Sequence, residues 1–499
     1  MKYIFLLISL FTFNFLQAQV TGVVKDAAGE PIPGANVFWM NTTNGVTTNE
    51  DGNFSIHKPA RSHMLVVSFI GFENDTIHVD KGNQQLDIVL REGVELSEVN
   101  VVTRKLGTMK LRTSVMNEDM ISSAELTRAA CCNLGESFVT NPSVDVSYSD
   151  AATGAKQIKL LGLSGTYVQM MTENIPNFRG AAAPYGLGYV PGPWMQSIQV
   201  SKGSSSVKNG YESITGQINV EFKKPQLPEA DWVSANLFAS STNRYEANAD
   251  ATVKLSKRWS TSLLAHYENE TKSHDSNDDG FVDIPRVEQY NVWNRWAYMG
   301  DHYVFQAGIK ALHETRNSGQ IAHGNTPSHD LYEIGIKTNR YEAFTKNAYI
   351  FDKEKNTNLA LILQGTLHNQ DANYGRKLYD VDQSNFYASL LFETELSKQH
   401  SLSAGLSFNY DGYDQNYRLT NQAEEGLTKK FVKESVPGAY VQYTFNLNDQ
   451  LMLMGGIRGD YSSEYGFFVT PRAHVKYNPN EYLHFRLSAG KGYRTNHVL

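Results

Sequence analysis

The chain has 499 residues, too many for one ordinary domain, and it is 41% hydrophobic and 19% charged with a net charge of −7. That balance excludes neither a soluble protein nor a membrane barrel, while the modest charge and the lack of a basic patch argue against a nucleic-acid partner. The two cysteines, Cys131 and Cys132, are adjacent, so they cannot staple a disulfide framework.

Residues 1–18 read as a secretory signal peptide: Lys2 precedes an apolar run from Tyr3 to Leu16, broken only by Ser9, Thr12 and Asn14, with Ala18 at the cleavage position. Residue 19 is Gln rather than Cys, which argues against lipoprotein processing. No later window reaches the roughly 18 apolar residues of a spanning helix. Residues 19–92 alternate short β-rich runs with turn signals at Ala28-Gly29-Glu30-Pro31, Asp51-Gly52 and Gly71, the spacing of a small antiparallel β-sandwich. In the following stretch, 93–104, the segment Leu96-Ser97-Glu98-Val99-Asn100-Val101-Val102-Thr103 is β-branched and free of proline. It is either an interdomain linker or a strand offered to the edge of a partner's sheet, and its place beside the next module favours the second.

Residues 105–225 form an α+β module. A helix is expected over Ser123 to Phe138, carrying Cys131 and Cys132 either as a buried pair of small residues or, with Met170 and Met171, as soft-metal ligands. Ile158 and Leu160, then Tyr167 to Met171, read as strands joined at Gly162-Leu163-Ser164-Gly165; Ile198 and Val200 make another, turned by Lys202-Gly203. Gly216 to Phe222 alternates into Lys223-Lys224-Pro225, where proline ends the pairing. The run from Gln157 to Gly180, QIKLLGLSGTYVQMMTENIPNFRG, and that from Trp194 to Phe222, WMQSIQVSKGSSSVKNGYESITGQINVEF, resemble the plug of TonB-dependent outer-membrane receptors. The sandwich in turn looks like the carboxypeptidase-regulatory-like extension found ahead of many Bacteroidetes receptors. The resemblance implies that Leu96 to Thr103 is the TonB box. It also implies that the turns Tyr148 to Gly154 and Asn177 to Pro191 form the plug apex, where Tyr148, Arg179, Tyr185 and Tyr189 either contact substrate or pack the module. An enzyme is not expected: His313-Glu314 lacks the second histidine of H-E-x-x-H, and Ser164 lacks the G-x-S-x-G setting.

From 226 to 499 the texture is that of a transmembrane β-barrel. Arg244 to Leu255 sets Tyr245, Ala247, Ala249, Ala251, Val253 and Leu255 against Arg244, Glu246, Asn248, Asp250, Thr252 and Lys254, and Leu402 to Tyr410 and Ala439 to Leu447 repeat the pattern. Tight turns such as Asn446 to Gln450 contrast with polar stretches at Lys272 to Gln289, His313 to Asp330 and Tyr413 to Ser435, expected as extracellular loops. Roughly thirteen or fourteen strands are expected, fewer than a closed barrel of this family, so the receptor is expected to be C-terminally incomplete. Asp275, Asn277, Asp279, the Phe281 carbonyl and Asp283 follow the first part of an EF-hand-type calcium loop, although Arg286 stands where the closing Glu belongs. His266, His274, His313, His323 and His329 fall near expected loops but fit no single site.

The fold class expected is mainly β: N-terminal sandwich, α+β plug and antiparallel barrel. The function expected is TonB-dependent import of a scarce small substrate across the outer membrane, such as siderophore-bound iron, cobalamin or another metal complex. Its partners would be TonB with its inner-membrane energising complex and outer-membrane lipid, and calcium is the one cofactor expected. Gly492-Tyr493-Arg494-Thr495-Asn496 departs from the motif of haem receptors. A surface-binding protein or adhesin and a passive porin are the alternatives.

Overall fold

A computed structural model describes residues 19–26, 29–40, 45–59, 63–69, 75–79, 85–90, 108–110, 114–129, 132–139, 141–225, 233–321, 331–420, 426–447, 450–480 and 483–495. The chain divides into two compact units, Met1–Lys105 and Leu106–Leu499.

The first unit is a β-sandwich. Its strands are β1 (Gln19–Lys25), β2 (Asn36–Trp39), β3 (Gly45–Thr47), β4 (Asn53–His57), β5 (Met64–Ser68), β6 (Asp75–His78) and β7 (Gln85–Val89). They form one sheet ordered β4-β1-β7 and a second ordered β3-β2-β5-β6. The β1–β7 pair is parallel, so the sandwich is not wholly antiparallel. Alternation places Val20, Val24, Trp39, Phe54, Ile56, Leu65, Val67 and Ile88 in one apolar core, with polar neighbours outside.

In the second unit the plug comprises β8 (Thr108–Lys110), β9 (Asn117–Ser122), the helix α1 (Ser123–Arg128), β10 (Val144–Asp150), β11 (Ala155–Leu160), β12 (Leu163–Ser164), β13 (Val168–Thr172), β14 (Ile175–Pro176), β15 (Met195–Lys202) and β16 (Gly216–Phe222). Six of these strands make a mixed sheet in the order β14-β13-β16-β15-β9-β8, with β10, β11 and β12 in a separate sheet. The helix is shorter than expected. It stops at Arg128, and Asn133 is extended and bridged to Pro191 before a single 3₁₀ turn at Leu134–Glu136. The turn after β11 is also one residue early, at Leu161-Gly162, because Leu163 and Ser164 already pair back with Leu160 and Lys159.

The remaining thirteen strands form one antiparallel meander: β17 (Val233–Ala239), β18 (Arg244–Lys254), β19 (Trp259–Glu270), β20 (Arg286–Met299), β21 (Tyr303–Gly319), β22 (Glu333–Asp352), β23 (Thr357–Tyr374), β24 (Lys377–Ser397), β25 (His400–Arg418), β26 (Thr428–Leu447), β27 (Leu451–Ser462), β28 (Gly466–Asn480) and β29 (Leu483–Gly490). Each strand pairs with its successor. His313 to Gly319, Tyr413 to Arg418 and Thr428 to Ser435, expected in loops, instead extend the strands, because residues on both sides keep the ladder in register well past the apolar band.

Sidedness is inverted relative to a soluble sheet. Glu246, Asn248, Ser262, Gln289, Asn291, Arg295, Lys310 and Arg340 are buried, whereas Leu237, Val292, Ile309, Leu367 and Leu406 are exposed. Aromatic residues gather in two bands on the exposed face: Trp259 opposite Tyr298 and Tyr303 opposite Tyr349 near the short turns, with Tyr267 opposite Tyr290 and Tyr341 toward the long connections. Apolar outside, polar inside and flanking aromatic belts are the pattern of a sheet whose outer solvent is lipid.

Candidate functional site

The buried polar face of the sheet is covered by the plug. Phe222 and Trp194 at the plug's surface meet Trp293 of β20, with ring centroids 4.6 Å and 6.3 Å apart, and Leu264, Leu312, Ile334 and Ile336 from the wall join the same apolar cluster. Around this apolar seam lie charged ties. The β13–β14 hairpin turns on Glu173 and Asn174, both with left-handed backbone (φ 50° and 62°), which aims the Glu173 side chain at the wall. Its carboxylate lies 2.5 Å from the Arg295 guanidinium and 3.3 Å from Lys346 Nζ, and its carbonyl accepts from the same lysine at 2.8 Å. Burial pushes this carboxyl up, but Arg295 and Lys346 outweigh it and hold the group down to about 2. Asn177 makes a second tie, donating to Glu342 at 2.9 Å and accepting from Arg340 at 2.6 Å. A third uses the serine loop, where Arg472 donates to the carbonyls of Ser206 (2.8 Å) and Ser213 (3.3 Å).

Above these ties a cavity of about 270 Å³ opens between the plug and β25, lined in part by Lys156, Ser164, Arg179, Glu212, Tyr413 and Arg494. Arg179 is fixed by two carboxylates, Glu212 at 2.9 Å and Asp411 at 3.1 Å, and Glu212 also reaches Arg494 at 3.3 Å. The next residue, Gly180, has φ +59°, and a Cβ there would collide with the Tyr413 hydroxyl, so the apex chain can lie against β25 only with glycine at this point.

Of the expected apex residues, Arg179 lines this cavity and Tyr148 is 57% exposed with Lys156 5.6 Å from its ring centre. Tyr185 and Tyr189 are buried: the Arg316 guanidinium stacks 5.0 Å from the Tyr185 ring, and the Tyr189 backbone carbonyl accepts from Asn291 and Lys310, so both pack the plug to the wall. Glu173, Glu212 and Asp411 were not singled out in the sequence, and Arg494 entered only through the segment that departs from the haem-receptor motif. The Thr172-Glu173-Asn174-Ile175 hairpin was legible as a turn, but the cations that meet Glu173 lie more than a hundred residues away. Leu96 to Thr103, expected as the TonB box, lie outside the described residues, as do Cys131, His323 and His329.

Cys132 is buried, and burial together with Glu246 pushes its thiol up, which disfavours the thiolate that a soft metal requires. Met171 is also buried and accepts from Gln217 at 2.9 Å, whereas Met170 lines the mouth cavity. His266 pairs with Asn248 and His313 with Asn339, both on strands rather than loops, and His274 lies against the Thr242 carbonyl. The loop Asp275 to Asp283 is a folded turn with φ 57° at Asp278 and 79° at Gly280. Asp275 accepts from the N–H groups of Asp279 and Gly280, Asp279 from that of Phe281, and Asp283 from that of Ser276, which holds the Asp283 carboxyl below its usual range. Among the described residues no three His, Cys, Asp or Glu side chains are grouped to hold a metal ion.

Three family models cover most of the chain: a CarboxypepD_reg-like domain at residues 20–102, a TonB-dependent Receptor Plug Domain at 110–217 and a TonB dependent receptor-like, beta-barrel at 197–497. The TonB-dependent receptor SusC of Bacteroides thetaiotaomicron is 28% identical over 245 residues, which are 46% of this chain and 24% of that protein. The TonB-dependent receptor P39 of Formosa agariphila is 39% identical over 100 residues, 19% and 10% of the two chains. The chain thus spans a quarter or less of these curated relatives. Among solved structures, the ferripyoverdine receptor of the outer membrane of Pseudomonas aeruginosa aligns with a TM-score of 0.62 at 14% identity, covering 80% of this chain and 61% of that one. The alcaligin receptor FauA from Bordetella pertussis aligns with a TM-score of 0.60, also at 14% identity, over 78% and 66%. With the barrel model alone matching more than half of its length, and with an exposed apolar sheet face suited to the outer membrane, this chain belongs to the TonB-dependent receptor family, a family of transporters and not of enzymes.

Proposed function

We propose that the receptor imports a scarce small substrate across the outer membrane by coupling to TonB. The observation that carries this reading is a plug tied to the inner face of the wall by buried ion pairs, with Glu173 at 3% side-chain exposure against Arg295 at 2%. Such a plug closes a passage that would otherwise leak. Opening it needs work that the outer membrane itself does not supply, and a passive porin needs no such obstruction. The work enters through Leu96 to Thr103, which adds as a strand to the TonB sheet largely by backbone hydrogen bonds. A metal complex or cofactor, such as ferric siderophore or cobalamin, is the substrate class proposed. The cavity beside Arg179 would receive it, with the exposed Tyr148 ring next to Lys156 of its lining. Calcium would order the loop Asp275 to Asp283, whose all-oxygen donor set suits a hard cation.

The test replaces Val99 with Pro, which removes a ladder donor. TonB binding and energised uptake should fall together while substrate binding to the cell surface persists. Undiminished uptake by that variant contradicts the reading. Binding without uptake in the unaltered receptor would favour a surface-binding protein instead.

A further inference from the structure

We propose that the mouth cavity selects substrates bearing an anionic group, bound between Arg494 and Lys156 while Arg179 acts as a positioning residue. This deepens the import reading above and rests on it only in treating the bound molecule as cargo.

The cavity presents three cationic side chains, Lys156, Arg179 and Arg494, and one carboxylate, Glu212. This is a local inversion in a chain whose net charge is −7. The other compensating carboxylates stand behind the lining. Asp411, with 1% of its side chain exposed, holds Arg179 at 3.1 Å, and Glu136 lies 3.7 Å from Lys156 while also accepting from Arg244 at 3.0 Å. The three cations differ in how fully they are used. Arg179 is gripped from two sides and has little left to offer a ligand, so its service is to hold Glu212 and the apex chain in place. Among the described residues Arg494 has one ion pair, to a single oxygen of Glu212 at 3.3 Å, although a guanidinium carries five N–H donors in a fork. Lys156 makes a loose contact to Glu136 at 3.7 Å and sits beside the exposed Tyr148 ring. A partly enclosed cavity focuses the field of such groups more than open solvent would. The complement is an anionic oxygen, as in a catecholate or carboxylate chelate or in the uronate of an acidic oligosaccharide. Glu212 takes one donor of Arg494 and offsets part of its charge, so a ligand meets the remaining donors against the opposition of that carboxylate. Hence Arg494 and Glu212 have opposite effects on affinity.

The experiment measures equilibrium binding to the receptor in outer-membrane vesicles with matched probes. An anionic ferric tris-catecholate is paired with a neutral ferric tris-hydroxamate, and an oligogalacturonate with a neutral malto-oligosaccharide. The expected result is binding of an anionic member and rejection of its neutral counterpart. Losing a charge-assisted hydrogen bond in Arg494→Gln should weaken it about tenfold or more, whereas Arg494→Lys recovers part of the loss. Glu212→Gln should strengthen binding several-fold, an outcome that a merely misfolded variant cannot give. The proposal is overturned if a neutral probe binds as well as its anionic partner, if neither anionic probe binds, or if Arg494→Gln and Lys156→Gln both leave affinity unchanged. Anionic binding without energised uptake would sink the import reading alone, and energised uptake of a neutral probe would sink charge selection alone.

Discussion

The same alternation of residue types builds two regions that face opposite solvents. In β4 of the sandwich, Phe54 and Ile56 are buried and Asn53, Ser55 and His57 are exposed. In β18 of the barrel, Glu246 and Asn248 are buried while Tyr245 and Val253 are exposed. A period of two reveals a strand with two unlike faces and nothing about which face is the inside. What separates the cases is the material on each side: an apolar partner sheet for the sandwich, and a polar plug on one side with lipid on the other for the barrel.

The largest effect should come from breaking the polar inside. Glu173→Gln leaves the buried Arg295 and the half-buried Lys346 with one carboxylate fewer, which costs about 3 to 5 kcal/mol by comparison with other severed buried pairs. Denaturant or thermal unfolding, with protease cleavage of the plug as a second readout, would measure it, and a loss below about 1 kcal/mol would show the tie to be dispensable. Acid should act on the same bond. Because the Glu173 carboxyl is depressed in the folded protein, its contribution is fully present above the usual carboxylate range, near pH 4.5, and is lost as pH falls toward about 2. In Glu173→Gln that part of the acid dependence should vanish.

A somewhat smaller effect tests the outside. Ile309, 69% exposed and between the two aromatic bands, should tolerate Arg poorly, at about 2 to 4 kcal/mol if it lies near the bilayer midplane. Val89 of the sandwich is 52% exposed, and Val89→Arg should change stability by no more than about 0.5 kcal/mol, as expected of a water-facing site. Equal costs for the two substitutions would mean that both faces meet the same solvent.

The smallest effect concerns the loop beyond the barrel's apolar band. Calcium should bind with an affinity of roughly 0.1 to 1 mM, typical of extracellular modules. Changing Asp275 and Asp279 together to Ala should abolish the calorimetric signal and weaken substrate binding only when calcium is present. No heat from the unaltered receptor at millimolar calcium would leave these carboxylates as partners of the loop's own donors.

Much of the architecture was legible because it is local. The alternation of Arg244 to Lys254, the stop at Pro225 and the glycine turn at Gly203 each depend on a few neighbouring residues. The α1 helix was over-read because the extended Asn133 answers to its bridge with Pro191, a partner more than fifty residues away. The site was less legible for the same reason. Arg179 was found through the apex resemblance, but its counter-charges Glu212 and Asp411 come from separate parts of the chain, and Tyr185 and Tyr189 could be assigned to packing only once the wall behind them was known.

The order of the plug sheet also has a mechanical consequence. The first described strand of the plug is β8, at one edge of the sheet, and among the described residues it pairs with β9 alone. The hairpin carrying Glu173 lies at the opposite edge. Traction from the N-terminal side therefore loads a peripheral hairpin first and can peel it bond by bond, whereas the riveted margin must be sheared from the wall with its ion pairs still made. A pull strong enough to strip β8 and β9 can open part of the plug and leave the rest moored, ready to guide the strands back when tension is released.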